Sequence, residues 1–334
     1  MSTMLAIHLL GHNKIELGQV PIPKPKEQDI VVRIRAAGIC GTDRRPLEGE
    51  GQLTIPGHEN AGEVAYVDKP GWVRPGDRVA INCHVTCHHC AHCMNGDFYF
   101  CDKLEIIGGE WNGGYAEYCL VPETCCIPLP SDFSFEIGAL MVDVMGTAFR
   151  AVKRGQFMPG DKVAIWGAGP IGLSAMMIAK YMGAQVASID LVPYRLRMAE
   201  EFGADLTINP EHIDPVKALL DWTDGRGVDV AYDCIGNQKA AEQAVDAVKK
   251  RGRVGIVGVS QALTLNPENH FIAKELTLFG SRNSTTREWD EMIASIRNGL
   301  AISRIVTHSF PLTEAETAFD VFRGKDCGKV VFSG

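Results

Sequence analysis

Apolar and polar positions change rhythm twice along the chain. Over the first 145 residues the pattern is strand-like: IVVRIRAAGIC alternates, NAGEVAYV and GDRVAINC are short apolar runs, and Gly and Pro punctuate throughout. The opening MSTMLAIHLLGHNK predicts a first strand, and the Pro-rich LGQVPIPKPKEQDI predicts a connector. From about Gly146, short β-branched runs alternate with helix-length segments: VAIWG, VASID, LTIN, VDVAYDCIG, RVGIVG and LTLFG. Strands spaced in this way predict a parallel, doubly wound α/β sheet. After Ser281 the rhythm shifts again. REWDEMIASIRNGL sets Trp289, Met292, Ile293 and Ile296 on one helical face, and the strand-like VTHSF and KVVFS follow. This last piece is compatible with the end of a second domain and equally with a return to complete the first.

At 334 residues the chain exceeds twice the roughly 150 residues of an average domain, so the two textures are read as two domains. It is long enough to bury a core without disulfide staples. A hydrophobic fraction of 46% with 22% charged residues excludes a disordered chain. Acids outnumber bases, 41 to 33, giving a net charge of −8, and no basic cluster surrounds the cysteines. Both features argue against a nucleic-acid partner. The N-terminus lacks the charged-then-apolar layout of a secretory signal. The longest apolar stretch, Val163 to Ala179, is broken by Gly167, Gly169, Pro170 and Gly172, so no membrane span is expected. A cytoplasmic placement follows. The unusual count is eleven cysteines, five of them between positions 83 and 101. In a reducing compartment such a set points to metal rather than disulfides.

VAIWGAGPIGLSAMMIAKYMGA reads as a strand, the turn Gly167-Ala168-Gly169-Pro170-Ile171-Gly172, and a helix. Gly167 makes the tight turn, Gly169 admits a pyrophosphate to the backbone, and Gly172 lets helix and strand pack closely. Pro170 suits the first helical turn, and the free N–H groups at that helix start face the phosphates of a dinucleotide. The next strand ends in Asp190, 21 residues after Gly169. A carboxylate there accepts hydrogen bonds from ribose hydroxyls and repels a 2′-phosphate, which selects NAD over NADP. Arg195 has two uses: stacking on adenine or holding a phosphate.

Cys87, Cys90, Cys93 and Cys101 are separated by two, two and seven residues. Four thiolates in so compact a lobe close a tetrahedral shell around Zn²⁺ with no position left for substrate, which is a structural site. His88, His89 and His92 are expected to point outward, and Cys83 to be a buried packing residue. A second set is dispersed. Gly38-Ile39-Cys40-Gly41-Thr42-Asp43 ends a predicted strand, and Gly57-His58-Glu59 follows a Pro-Gly turn. Thiolate, imidazole and carboxylate suit zinc, and three protein ligands leave a position for water or substrate. Spacing alone leaves their convergence open, because GHE alone reads as a turn and Cys40 alone as core.

GICGTD, GHENAGEV, the four-cysteine lobe, GGYAEY, the glycine turn and the ending VTHSFPLTEAETAFDVFRGKDCGKVVF stand in that order in the zinc-dependent medium-chain dehydrogenase/reductase family. That family includes alcohol, sorbitol, threonine and glucose dehydrogenases, and the chain resembles it from about residue 5 to 334. The resemblance implies a GroES-like β-rich catalytic domain over 1–146 and 280–334, with the structural zinc lobe at 83–101. It implies a Rossmann NAD-binding domain over 147–279, so the final segment is taken to return to the first domain.

Residue by residue, the resemblance implies Cys40 and His58 as ligands of a catalytic zinc. Glu59 ligates or exchanges with water, and Asp143, in GALMVDVMGTAFRAV, is the further ligand. The cysteine found at that place in alcohol dehydrogenases is absent, which points toward the polyol and bacterial secondary-alcohol branches. With Cys87, Cys90, Cys93 and Cys101 matching the structural site, two zinc ions per chain are expected. Gly167, Gly169, Pro170, Ile171, Gly172, Asp190 and Arg195 match the cofactor site. The backbone from Val257 to Val259 is expected at the nicotinamide amide. Arg282 and Asn283 fall where relatives bring a loop near the nicotinamide, and their plain role is to cap a strand–loop junction.

The implied reaction is zinc- and NAD-dependent oxidation of a secondary alcohol to a ketone or lactone by hydride transfer. Thr42 is placed to take the hydroxyl proton and pass it toward the cofactor ribose. Several relatives finish the relay with a histidine three residues further on, where this chain has Arg45. An arginine is a poor proton acceptor. It serves an anionic or polyhydroxylated substrate, contacts cofactor phosphates, or simply faces solvent beside Arg44. Glu110, Trp111, Asn112 and Phe149 are candidate pocket residues of mixed polar and aromatic character, which favours a polyol, sugar, cyclitol or amino alcohol such as threonine. The rivals are a simple secondary-alcohol dehydrogenase and a non-catalytic NAD-binding sensor. Relatives are commonly homo-tetramers, with dimer contacts along the edge strand of the cofactor sheet. LTLFG is the edge candidate here, and a homo-tetramer or homo-dimer is expected.

Overall fold

The computed structural model describes residues 2–69, 71–259 and 262–334. The chain divides into two compact units: Met1–Asp143 with Thr285–Arg287 and Val306–Gly334, and Val144–Ser284 with Glu288–Ile305.

In the first unit the hub is the strand Asp29–Gly38, seven of whose ten residues are buried. One edge pairs antiparallel with Glu59–Val67. The other is shared by Tyr118–Pro122, against its first half, and Lys329–Ser333, against its last residues. Register fixes what meets at the far end of this sheet. Gly38 stands opposite Glu59 on one side and opposite Val331 on the other. The end of the hub, the start of Glu59–Val67 and the start of Lys329–Ser333 therefore share one rim. The helix Phe135–Val142 lies over these strands and buries Gly138 through Val142. Its start is capped by the Ser134 hydroxyl, which accepts from the Ile137 N–H at 3.3 Å. Its end is set by Asp143, which leaves helical geometry at φ −130°.

The expected connector begins instead as a strand. Lys14–Pro21 pairs antiparallel with Thr3–Gly11 in a hairpin turned by His12 (φ 50°) and Asn13 (φ 61°). All of its residues are exposed or half-buried, so it tolerates Gly18 and the closing Pro21, which mask its strand signal.

In the second unit the six apolar runs form one parallel sheet. Its order is Leu206–Ile208, Gln185–Ile189, Lys162–Trp166, Val228–Asp233, Val248–Ile256, Thr277–Gly280. Strands buried on both faces read as continuous apolar runs rather than alternating ones. Trp166, Ile189, Val228, Ala231 and Val254 meet in its core. Successive connections run outward from Lys162–Trp166 in one direction and from Val228–Asp233 in the other. The crevice at the carboxyl ends of these two central strands is where such sheets bind ligands.

The division departs from the expected boundaries at 146 and 280. It falls between Asp143 and Val144, and Glu288–Ile305 belongs with the parallel sheet. Side chains on the helix Val144–Arg154 explain this: Arg150 pairs with Glu288 at 3.3 Å and Lys153 with Glu291 at 2.6 Å. Among the described residues no helix is long and apolar enough to cross a membrane.

Candidate active site and metal centres

Cys40, His58, Glu59 and Asp143 converge on the rim of the first unit, with one ligand atom from each lying within 4.8 Å of the others. Cys40 follows the hub strand, and His58 immediately precedes Glu59, the residue that faces Gly38. Asp143 arrives from the end of the covering helix. Its Oδ2 lies 3.7 Å from Cys40 Sγ and 3.4 Å from His58 Nε2. Ligands at ordinary zinc bond lengths in a tetrahedron stand roughly 3.3–3.8 Å apart. The spacing and the mixed soft and hard donors therefore fit that ion.

The electrostatics agree. Burial raises the Cys40 thiol above its ordinary value, against the pull of His58. Burial alone would depress His58, yet Cys40 and Asp143 beside it hold its pKa well above the usual imidazole range. Burial likewise raises the Glu59 carboxyl, opposed chiefly by Lys329. Buried groups that resist becoming anionic without a partner are groups that a cation stabilises. Glu59 Oε1 accepts from Lys329 Nζ at 2.6 Å, while Oε2 has no hydrogen-bond partner among the described residues.

Around this set lies a polar frame. Asp43 is 5% exposed, and its Oδ2 accepts from the Cys40 N–H at 2.8 Å and from the Tyr115 hydroxyl at 2.5 Å. Thr42 is exposed in the turn Gly41–Asp43, and Arg45 is exposed on the short helix Arg44–Glu48 that follows. Arg44 pairs with Glu48 and donates to the Phe322 carbonyl. Cys83 is buried within electrostatic range of His58, Asp143 and Glu59, and burial pushes its thiol up to about 12. Sequence reasoning passed over Asp43, Tyr115 and Lys329 as site residues. The one available signal was a lysine opening the otherwise apolar KVVF.

The second cluster is Cys87, Cys90, Cys93 and Cys101, again with ligand atoms within 4.8 Å of one another. Cys87 Sγ and Cys93 Sγ are 3.9 Å apart. Main-chain N–H groups of Cys87 and Lys103 point at Cys101 Sγ, at 3.3 and 3.4 Å. Backbone donors from Cys93 and then Asp102 lower the Cys90 thiol to about 6. His88 and His92 turn to the rings of Phe98 and Phe100, and neither they nor His89 join the group.

In the second unit the glycine turn has the geometry its sequence demands. Gly167 sits at φ +96°, and a Cβ on Gly172 would lie 1.7 Å from the Gly167 carbonyl oxygen. Gly169 caps the helix Pro170–Tyr181, whose first residues are Pro170 and Ile171. A Cβ on Gly169 would meet only the Arg195 guanidinium, at 3.7 Å, so the backbone there is open to a ligand. Asp190 is 8% exposed. Its Oδ2 accepts from Ala168 N–H at 2.6 Å and its Oδ1 from Val192 N–H at 2.8 Å. This carboxylate is thus clamped beside the turn.

Further along the rim of the parallel sheet, the N–H groups of Val257 and Gly258 donate to the Asp233 carbonyl, at 2.9 and 2.8 Å. That leaves the carbonyls of this stretch and the exposed Val259 to meet a ligand. Gly236 and Gly258 allow the two loops to touch, since a Cβ on Gly258 would lie 2.2 Å from Gly236 N. Arg282 is exposed; Asn283 is buried with φ +51°.

The expected pocket residues are held locally. Glu110 accepts from Ile106 N–H, the Trp111 indole donates to Glu105, and Asn112 accepts from Ile55 N–H, at 2.7–2.9 Å. Phe149 is 1% exposed on the helix Val144–Arg154.

Two family models match the chain: an alcohol dehydrogenase GroES-like domain over residues 26–131 and a zinc-binding dehydrogenase domain over 170–298. The chain is 35% identical to an L-threonine 3-dehydrogenase of Pyrococcus furiosus over 331 residues, covering 95% of this chain and 94% of that protein. Alcohol dehydrogenase TADH from Thermus sp. ATN1 superposes with a TM-score of 0.93 at 30% identity, covering 99% of this chain and 100% of that one. Galactitol-1-phosphate dehydrogenase from Escherichia coli superposes with a TM-score of 0.90 at 26% identity, with coverage of 99% and 100%.

Proposed function

Because the chain belongs to the zinc-dependent medium-chain dehydrogenase/reductase family, we propose that it oxidises the secondary alcohol of a small polar molecule, with NAD as acceptor and two zinc ions per chain. The observation that carries this is the convergence of Cys40, His58, Glu59 and Asp143 within 4.8 Å. When bound, zinc supplies Lewis acidity toward a hydroxyl oxygen, and the nicotinamide ring supplies the electron acceptor.

The chain's own groups do the rest. Cys40, His58 and Asp143 hold the metal. Glu59 either joins them or is drawn aside by Lys329. Thr42 Oγ1, two residues beyond Cys40, would relay the substrate's hydroxyl proton, accepting it while giving up its own hydroxyl proton toward the cofactor ribose. Arg45, permanently charged, offers a binding group for an anionic or hydroxyl-rich ligand rather than a base. Gly169 and the N–H groups of the helix behind it receive the pyrophosphate. Asp190 retains lone pairs for ribose hydroxyls beyond its two backbone bonds, and its fixed charge repels a 2′-phosphate, which supports NAD.

The substrate class is a polyol, sugar, cyclitol or amino alcohol. The threonine and galactitol-1-phosphate dehydrogenases to which the chain is similar support it. A simple secondary-alcohol dehydrogenase is the second reading, favoured by the likeness to the Thermus enzyme. All eleven cysteines are free thiols, which suits a reducing compartment such as the cytoplasm. The edge position of Thr277–Gly280 in its sheet supports a homo-dimer or homo-tetramer.

NAD reduction by zinc-loaded protein against polyols, sugars, 3-hydroxy amino acids and simple alcohols tests the assignment. Turnover of a polar alcohol is expected. Turnover of simple alcohols alone moves the assignment to the second reading, and no turnover at all leaves a sensor.

A further inference from the structure

Two loops carry Cys40 and His58, and one side chain touches both. Tyr115 is fully buried, and its ring packs edge-on against Phe332 and Phe319, with centroids 5.3 and 6.0 Å away. Its hydroxyl reaches Asp43 Oδ2 at 2.5 Å, with the Gly38 carbonyl 3.1 Å away on the last residue of the hub strand. The same Asp43 oxygen receives the Cys40 N–H at 2.8 Å. On the other side, the Tyr115 N–H donates to the Pro56 carbonyl at 3.0 Å and the Gly114 N–H to the Gly57 carbonyl at 2.9 Å. Gly57 lies flat on the ring: at φ +96°, a Cβ there would come within 2.4 Å of it.

We infer that Tyr115 is a positioning residue for the metal held by Cys40 and His58, a role that rests on the dehydrogenase assignment above. The ring and main chain set the turn that presents His58. The hydroxyl fixes Asp43, and Asp43 fixes the amide from which the Cys40 thiolate projects. A phenylalanine would supply the ring and the backbone bonds equally well, so the hydroxyl is the part whose purpose packing does not explain. Removing it leaves a buried carboxylate oxygen one donor short, and Asp43 is then free to release the Cys40 amide. Groups one step behind a metal ligand characteristically change metal affinity by about 10- to 100-fold when lost.

The test compares wild type, Tyr115→Phe, Asp43→Ala and the double variant, each loaded with Zn²⁺ or Co²⁺. The measurements are metal content per chain, release of each ion to a chelator, and the thiolate-to-cobalt absorption. Wild type is expected to hold two ions that leave at different rates. In Tyr115→Phe one ion is expected to leave about tenfold faster or more, the other to leave at the wild-type rate, and the cobalt absorption to shift. The hydroxyl deletion should add little in the Asp43→Ala background.

Two ions in wild type, with release and absorption unchanged in Tyr115→Phe, overturn this inference and leave the dehydrogenase assignment standing. A wild type holding one ion removes that assignment and the inference together. Should Tyr115→Phe fail to fold, Asp43→Ala cuts the same link from its other end, and unchanged release there overturns the inference too.

Discussion

Lys329 Nζ lies 2.6 Å from Glu59 Oε1, with the two side chains 1% and 0% exposed. A sealed ion pair of this kind is costly to break from one side, because the remaining charge has neither water nor partner. Gly38 makes room for it: a Cβ there would lie 2.5 Å from Glu59 Oε2 and 2.7 Å from the lysine stem. The lysine would thus compete for the same carboxylate with a metal held by Cys40, His58 and Asp143.

Lys329→Met should accordingly destabilise the metal-free protein by about 3–5 kcal/mol. Zinc should restore part of that loss, because Glu59 then takes the metal as its only partner. The gap in Tm between zinc-loaded and chelator-treated protein should therefore widen relative to wild type, and kcat should fall as Glu59 occupies a position the substrate needs. An unchanged gap would remove the competition between Lys329 and the metal.

The four-cysteine lobe carries a pH signature. Backbone donors hold the Cys90 thiol at about 6, below the roughly 8.5 of an unfolded thiol. A folded-state value lower than the unfolded one stabilises the fold above the unfolded value, and the contribution is lost as pH falls through about 6. In zinc-stripped protein at pH 7, Cys90 should be alkylated ahead of Cys83, Cys119 and Cys126, whose thiols burial pushes up to about 12. Mass mapping of early alkylation checks the order, and equal labelling of all four would contradict it.

Asp190 has two jobs that one substitution separates by degree. Asp190→Ser removes the charge that repels a 2′-phosphate and weakens the clamp on Ala168 and Val192. Catalytic efficiency with NAD should fall about 10- to 100-fold, with a smaller loss or a gain for NADP. Ratios of kcat/KM for the two cofactors decide it, and an unaltered ratio would mean Asp190 is structural alone.

Legibility in the sequence follows the distance over which parts must cooperate. The glycine turn and the four cysteines are each complete within a short stretch, so spacing alone states their geometry. The apolar runs of the parallel sheet are buried on both faces and read plainly. Lys14–Pro21 hides because a largely exposed edge strand has no face that must stay apolar. The remaining metal site is built by register and helix placement. Asp143 is 103 residues from Cys40 and Lys329 is 270 from Glu59. No local pattern encodes those meetings, and the family likeness supplied the first but not the second.

The central claim, an open zinc site built on Cys40, His58 and Asp143, is tested most directly by counting zinc in wild type and Asp143→Ala while measuring alcohol-dependent NAD reduction. The expected result is two zinc ions and turnover for wild type, against one zinc ion and no turnover for the variant, with the four-cysteine lobe still loaded. An Asp143→Ala protein that keeps both ions and its turnover would contradict it.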